Sequence, residues 1–226
     1  MLNIKQNLLT LNTNILSTAK NSNRDPKSII LLAVSKRHPI ESIKELHSYG
    51  QNHFGENFVQ EGVDKIRAIN SAKLCWHFIG HIQSNKTRLI AEHFNWVHTV
   101  DRIKIAERLS KQRPKTAADL NICVQVNIDQ EESKSGITLD ALLQLCEAID
   151  ELPKLKLRGL MCIPATQKDF EEQRKPFAKI YQQQELLIQH GLKLDTLSMG
   201  MTNDFKAAIK EGATIIRVGT ALFGSR

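Results

Sequence analysis

The chain has 226 residues, 41% hydrophobic and 24% charged, with a formal net charge of +7. It can therefore bury a sizeable core, and it holds no run near the ~20 apolar residues of a membrane span and no signal-peptide centre. The basic residues are spread along the chain and aromatics are only 5%, which argues against a nucleic-acid surface and for a basic solvated one, with which a small phosphate-bearing ligand is compatible.

In chain order, Ile4, Leu8, Leu11 and Ile15 recur at helical spacing and predict an amphipathic N-terminal helix that docks on the domain. Eight apolar or β-branched runs follow, at 29–34, 52–56, 75–80, 96–100, 121–127, 157–163, 195–199 and 213–219; the second and fourth are the weakest. Helical patterns separate them. Ile40, Ile43, Leu46 and His47 line one face after Pro39, which suits a first helical turn. Val59, Val63 and Ile66 mark the second helix, Leu89, Ile90 and His93 the third, and Ile105, Ala106 and Leu109 the fourth. Thr138 is placed to cap a fifth, with Leu142, Leu145 and Ile149 on one face. Phe177, Ile180, Leu187 and Ile188 mark a long sixth closed by Gly191, and Phe205, Ala208 and Ile209 a seventh closed by Gly212.

Strand alternating with helix implies parallel pairing, and eight such units imply an α/β fold, a single (β/α)8 TIM barrel over residues 1–226. Little chain remains for a full eighth helix, so the extra N-terminal helix is expected to cover that face. The cysteines, Cys75, Cys123, Cys146 and Cys162, form no C-x-x-C pair and read as reduced thiols of a cytoplasmic protein.

Barrel sites form at the C-terminal strand ends, where this chain carries its unusual residues. Lys36 follows the first run, Glu56 and Asn57 the second, and His81, Gln83, Ser84 and Asn85 the third. Residues 198–204, "SMGMTND", follow the seventh, and Arg217, Gly219 and Thr220 lie at the eighth. Loops seven and eight are the usual barrel site for a phosphate. Ser198 or Thr220 alone serves equally as a helix cap, and Gly219 as a tight turn; their joint occurrence in those two loops is the signal. Neither a Walker loop nor a G-x-G-x-x-G fingerprint is present. Lys36 alone reads as a surface lysine, but a lysine desolvated in a barrel mouth favours the neutral amine that attacks an aldehyde. A ligand with both an aldehyde and a phosphate is pyridoxal phosphate. His77 and His81 would share a metal only on a helix, and the strand pattern with Gly80 argues against one, so no metal site is expected. Lys134 and Ser135 read as loop residues with at most a weak ligand contact.

"AVSK" (33–36), "GENFVQE" (55–61), "WHFIGHIQSNK" (76–86), "SKSGI" (133–137), "RGLMCI" (158–163), "SMGMTND" (198–204) and "IRVGTALFG" (216–224) together resemble the pyridoxal phosphate homeostasis protein family. The match is collinear over nearly the whole chain. The resemblance implies the fold-type III barrel of the alanine racemase N-terminal domain. It also implies a bound pyridoxal 5′-phosphate without established turnover, and a role in balancing vitamin B6 vitamers. By position, Lys36 would carry the Schiff base, Asn57 would lie near the ring substituents, Arg217 would face the pyridine nitrogen, and Ser198, Gly219 and Thr220 would hold the phosphate. His81 stands where the family usually has proline, and the chain stops at "FGSR" without the short tail often present.

Three functions follow for comparison. A non-catalytic cofactor carrier, monomeric, handing pyridoxal phosphate to apo-enzymes, is the leading one. An amino-acid racemase of this fold needs a second domain and an opposing tyrosine, whereas Tyr49 and Tyr181 both fall in predicted helices. A nucleic-acid or protein-binding module rests only on the basic charge. Neither nucleic acid nor membrane is an expected partner.

Overall fold

The structure is a computed structural model and describes residues 3–129, 131 and 135–224. Helix α1 (Ile4–Asn21) precedes eight strands. These are β1 (Ile30–Val34), β2 (His53–Glu56), β3 (Cys75–Phe78), β4 (Trp96–Val100), β5 (Leu120–Val126), β6 (Leu155–Cys162), β7 (Thr196–Ser198) and β8 (Ile215–Val218). Between them run α2 (Ile40–Ser48), α3 (Val59–Ile69), α4 (Thr87–His93), α5 (Ile103–Gln112), α6 (Leu142–Asp150), α7 (Phe170–Gln189) and α8 (Phe205–Lys210). A single turn, α9 (Thr220–Phe223), follows β8. Every strand pairs in parallel with its sequence neighbours, and β8 pairs with β1, closing the barrel in the order the sequence predicts.

The two-residue period of the strands divides their side chains between two cores. Leu31 and Ala33 point outward to meet Ile43 and Leu46 of α2, and the same layer continues around the ring through Val63, Ile90, Leu109, Ile149 and Phe177. Inside the barrel a small apolar plug of Leu32, Trp96, Cys123, Met161 and Ile215 fills the lumen. The strands are buried on both sides, which is why they read as apolar runs rather than alternating ones.

Helix α1 starts where the Asn3 carboxamide oxygen accepts from the Gln6 N–H at 2.9 Å. It packs on α2, α8 and α9, so it covers the face that the one-turn α9 leaves short, as expected. Asn7 donates to the Leu222 carbonyl at 3.0 Å, and Arg24 beyond it donates to the Ile209 and Ala213 carbonyls. Among the described residues no helix is long and apolar enough to cross a membrane.

Three local expectations shift. Thr138 does not cap α6, which begins at Leu142. Ile137 bridges to Val126, and its backbone exchanges hydrogen bonds with Gln125 and Asn127, so the chain is still tied to the sheet at 137. Pro39 is the N-cap of α2, in an extended conformation, rather than part of its first turn. Ile188 is exposed; the buried face of α7 is carried by Phe177, Ile180, Gln184 and Leu187, and the next position is turned about 100° away.

Candidate functional site

Strand β1 ends at Val34, and residues 35–38 form a tight turn closed by the His38 N–H on the Ser35 carbonyl at 3.0 Å. Lys36 sits in this turn, followed by Arg37 at φ 60, a left-handed conformation that costs a side-chain-bearing residue about 1–2 kcal/mol. A buried cluster holds the turn. The Lys65 ammonium, reaching in from α3, donates to the Ser35 carbonyl at 2.7 Å, to Glu56 at 2.8 Å and to Glu61 at 2.6 Å. Ser35 donates its hydroxyl to Glu56 at 2.6 Å, and the Arg37 N–H donates to Glu61 at 2.5 Å. Both neighbours of Lys36 are thereby tied to one lysine and two carboxylates. Burial pushes the Glu56 carboxyl up, against the pull of Lys65 and Ser35.

Asn57 follows β2, and a Cβ on Gly80 would run into its carbonyl oxygen. Glycine at 80 is what lets the loop after β3 lie flat against the loop after β2. The Asn57 Oδ1 is buried and has no hydrogen-bond partner among the described residues.

Above these strand ends lies a cavity of about 640 Å³. Lys36, Asn57, Arg217, Gly219 and Thr220 all line it, as do Ile163 and Asp204. At Gly219 the chain passes from β8 into α9, whose first N–H groups have no intrahelical partner. In the loop after β7, the Met201 N–H donates to the Asp204 carboxylate at 2.5 Å. Burial raises the Asp204 carboxyl above its ordinary range despite that bond.

Ser198 does not line the cavity. It is fully buried beneath it, and its Oγ accepts from the Arg217 Nη1 at 2.8 Å. Arg217 is pinned a second time, through Nη2, on the Cys162 carbonyl at 2.9 Å. Below Ser198 runs a column of histidines: His98 Nδ1 at 2.8 Å, His98 Nε2 to His77 Nδ1 at 2.9 Å, and His77 Nε2 to His53 Nδ1 at 3.0 Å. Arginine only donates, and among the described residues Ser198 has no other acceptor in reach. Its proton therefore goes to His98 Nδ1, which fixes both lower bonds as Nε2–H donors and all three rings as neutral. Burial first, then the Arg217 charge, pulls His98 down to about 3. Burial, then the neighbouring rings, holds His77 well below the ordinary value. Burial also lowers His53.

Of the six residues assigned to the cofactor, five thus converge on one cavity and Ser198 supports it from below. His81 is an exposed loop residue and does not meet His77. Ser135 is exposed, and Lys134 lies outside the described residues. Neither Tyr49 nor Tyr181 lines the cavity. Sequence reasoning placed Glu56 and Asp204 at strand ends and Ile163 in a motif but gave them no role in the site, and it missed Lys65 with its cluster and the histidine column. The column left one trace, a histidine in each of three predicted strands, but only barrel closure shows that they stack.

The model of the alanine racemase N-terminal domain matches residues 7–226. The pyridoxal phosphate homeostasis protein of Pseudomonas aeruginosa is 50% identical over 226 residues, spanning 100% of this chain and 97% of the relative. The chain belongs to the pyridoxal phosphate homeostasis protein family. Among solved structures, PipY of Synechococcus elongatus PCC7942 with PLP bound is 37% identical, with a TM-score of 0.85, covering 98% of this chain and 100% of that one. An alanine racemase from Clostridium difficile 630, in complex with cycloserine, aligns at a TM-score of 0.73 with 16% identity, covering 94% of this chain and 58% of its own. That likeness is one of fold.

The neutral histidines make stability depend on pH. Below about pH 6.5 the unfolded chain takes up a proton at each histidine, while His77 and His98 stay neutral in the fold. The unfolded state then binds more protons, so stability is lost as pH falls through that range. Two such groups give a slope of about 2.7 kcal/mol per pH unit at full effect. Urea unfolding between pH 6.5 and 5 is expected to show stability falling with pH, by up to that slope less the opposing proton uptake of the raised Glu56 and Asp204 carboxyls. A flat profile in that window would contradict neutral buried rings.

Proposed function

We propose that the cavity binds pyridoxal 5′-phosphate through Lys36 and that the protein holds this cofactor, for vitamin B6 homeostasis, without turning over a substrate. The observation that carries the reading is the convergence of a lysine amine, an unpartnered amide oxygen and a helix-opening turn on one cavity of about 640 Å³. The donor set fits the cofactor. Pyridoxal phosphate brings an aldehyde that a lysine amine can take up, a ring hydroxyl, a ring nitrogen and a phosphate.

In this reading Lys36 supplies the amine, its position fixed by the Lys65 cluster on either side. Asn57 Oδ1 accepts from the ring hydroxyl. The N–H groups at Gly219 and Thr220, with the Thr220 hydroxyl, meet the phosphate. Ser198 acts through Arg217: it holds one arm of the guanidinium while the Cys162 carbonyl holds the other, so Arg217 meets the ring nitrogen without searching for its rotamer. A permanent cation there opposes protonation of that nitrogen, which withholds the electron sink that amino-acid chemistry on this cofactor uses. No tyrosine lines the cavity to act as a second base. The names of the relatives, homeostasis proteins rather than racemases, support the same reading. Delivery to apo-enzymes that use the cofactor is the role this proposal assigns.

Absorbance titration tests the binding roles. Thr220→Ala removes one hydrogen bond to a charged group, about 1.5–3 kcal/mol, and is expected to weaken pyridoxal phosphate about tenfold or more while leaving unphosphorylated pyridoxal nearly unchanged. Equal loss for both vitamers would move the phosphate elsewhere. The carrier role is tested with L-alanine and loaded protein in deuterated water. Cα deuterium is expected to stay at the level of free cofactor; exchange well above it, abolished in Lys36→Ala, would make the protein an enzyme.

A further inference from the structure

At the opposite end of the barrel from the cavity, His53 and Cys75 are the first residues of β2 and β3 and lie directly opposite each other in the ladder. His77 is two residues beyond Cys75 on the same inward face. One imidazole nitrogen from each histidine and the Cys75 sulfur lie within 4.8 Å of one another. We propose that His53, Cys75 and His77 form a binding site for a single zinc-type cation.

Three features support the assignment. The donor set is the borderline-soft combination of imidazole and thiolate that zinc prefers, with three protein ligands to which a solvent ligand would add the fourth. The geometry is nearly closed: ligand atoms around a tetrahedral zinc stand about 3.3–3.8 Å apart, and His53 Nδ1 and His77 Nε2 already face each other at 3.0 Å. The cation takes the place of the proton between them. A supporting shell is also built. His77 is held through its other nitrogen by His98 and stacks on Trp96 at 5.4 Å, and the Trp96 side chain hydrogen-bonds Cys75.

Cys75 is partly exposed, whereas the other three cysteines are buried, so an ion can reach it. Burial pushes its thiol up to about 11, so the sulfur is protonated until a cation draws the proton off. The balance is simple. Cys75 releases its thiol proton to solvent and forms the metal–sulfur bond. His53 keeps its Nε2 proton and binds through Nδ1. His77 binds through Nε2 and carries its proton on Nδ1 instead, and His98 makes the same exchange of tautomer. Each ring keeps one proton and the order of donors in the column reverses, so Ser198 accepts from both His98 and Arg217 and its own hydroxyl proton gives up its acceptor among the described residues, a cost that the metal bonds must exceed. The bottom of the barrel is thereby connected to the arginine beneath the cofactor cavity. A metal reading of the sequence through His77 and His81 could not find this set, because its other two members come from a neighbouring position and a neighbouring strand.

The test uses the full-length reduced protein and cobalt(II) as a spectroscopic stand-in for zinc. One equivalent of cobalt is expected to produce a thiolate-to-metal charge-transfer band and the intense visible bands of four-coordinate cobalt, both erased by one equivalent of zinc. Cys75→Ser is expected to remove the charge-transfer band, and His53→Gln to weaken cobalt binding about tenfold or more. In unmutated protein, zinc is expected to slow iodoacetamide labelling of Cys75, followed by peptide mass, so the test does not depend on a variant folding. No cobalt band, the same band in a Cys75→Ser protein of unchanged circular dichroism, or labelling indifferent to zinc would each overturn the site.

Discussion

The parallel ladder between β1 and β8, from Ile30 on Ile215 to Ala33 on Val218, joins the two ends of the chain. Residues at opposite ends of the sequence reach the same rim because of it. Val34 leads into the Lys36 turn, and Val218, one step along the neighbouring strand, leads into Gly219 and Thr220. The approach is close: a Cβ on Gly219 would stand 3.3 Å from the Val34 carbonyl oxygen. Beside this seam His38, which also lines the cavity, stacks on Phe223 with ring centroids 4.3 Å apart. An open sheet of the same strands would hold the same residues and no site.

The barrel pays for its polar floor in stability at low pH, and the return is a fixed arginine. A guanidinium in a lumen 4% exposed needs its donors satisfied, and Ser198 and the Cys162 carbonyl satisfy two of them. The histidines below extend that satisfaction without adding charge, which a protonated ring beside Arg217 would do. The lysine–carboxylate cluster at the rim follows a different logic. There, charges of both signs are packed around Lys65, and what they hold is backbone: the Ser35 carbonyl and the Arg37 N–H on either side of Lys36. Removing Lys65 would leave two carboxylates facing each other, the costly way to break such a set.

The barrel was legible because its strands are buried on both faces and its helices are not. Runs such as 29–34 and 121–127 could be nothing else, and the weak run at 52–56 was recovered only by the regular alternation around it. The ends of elements were less legible. Thr138 looked like a cap until Ile137 proved to be tied to β5, a contact across sequence that no local pattern carries. At the site, Lys36, Asn57, Arg217, Gly219 and Thr220 stood out because each lies in the last residues of a strand or just past it, at the barrel face where sites form. Ser198 stood out for the same reason, but position alone does not say whether a hydroxyl points into a cavity or beneath it. Lys65 showed only an i,i+4 spacing from Glu61, and the histidines only one residue in each of three strands; Ser35, Glu56 and the stacking of the rings lie across elements that only the closed ladder aligns.

The central claim is that Lys36 takes up the aldehyde of pyridoxal phosphate. It is tested most directly by loading the protein with the cofactor, reducing with borohydride and mapping the pyridoxyl group by peptide mass. The expected result is one pyridoxyl group per chain, on Lys36. A protein that binds the cofactor yet carries the group on another lysine, or on none, would contradict it.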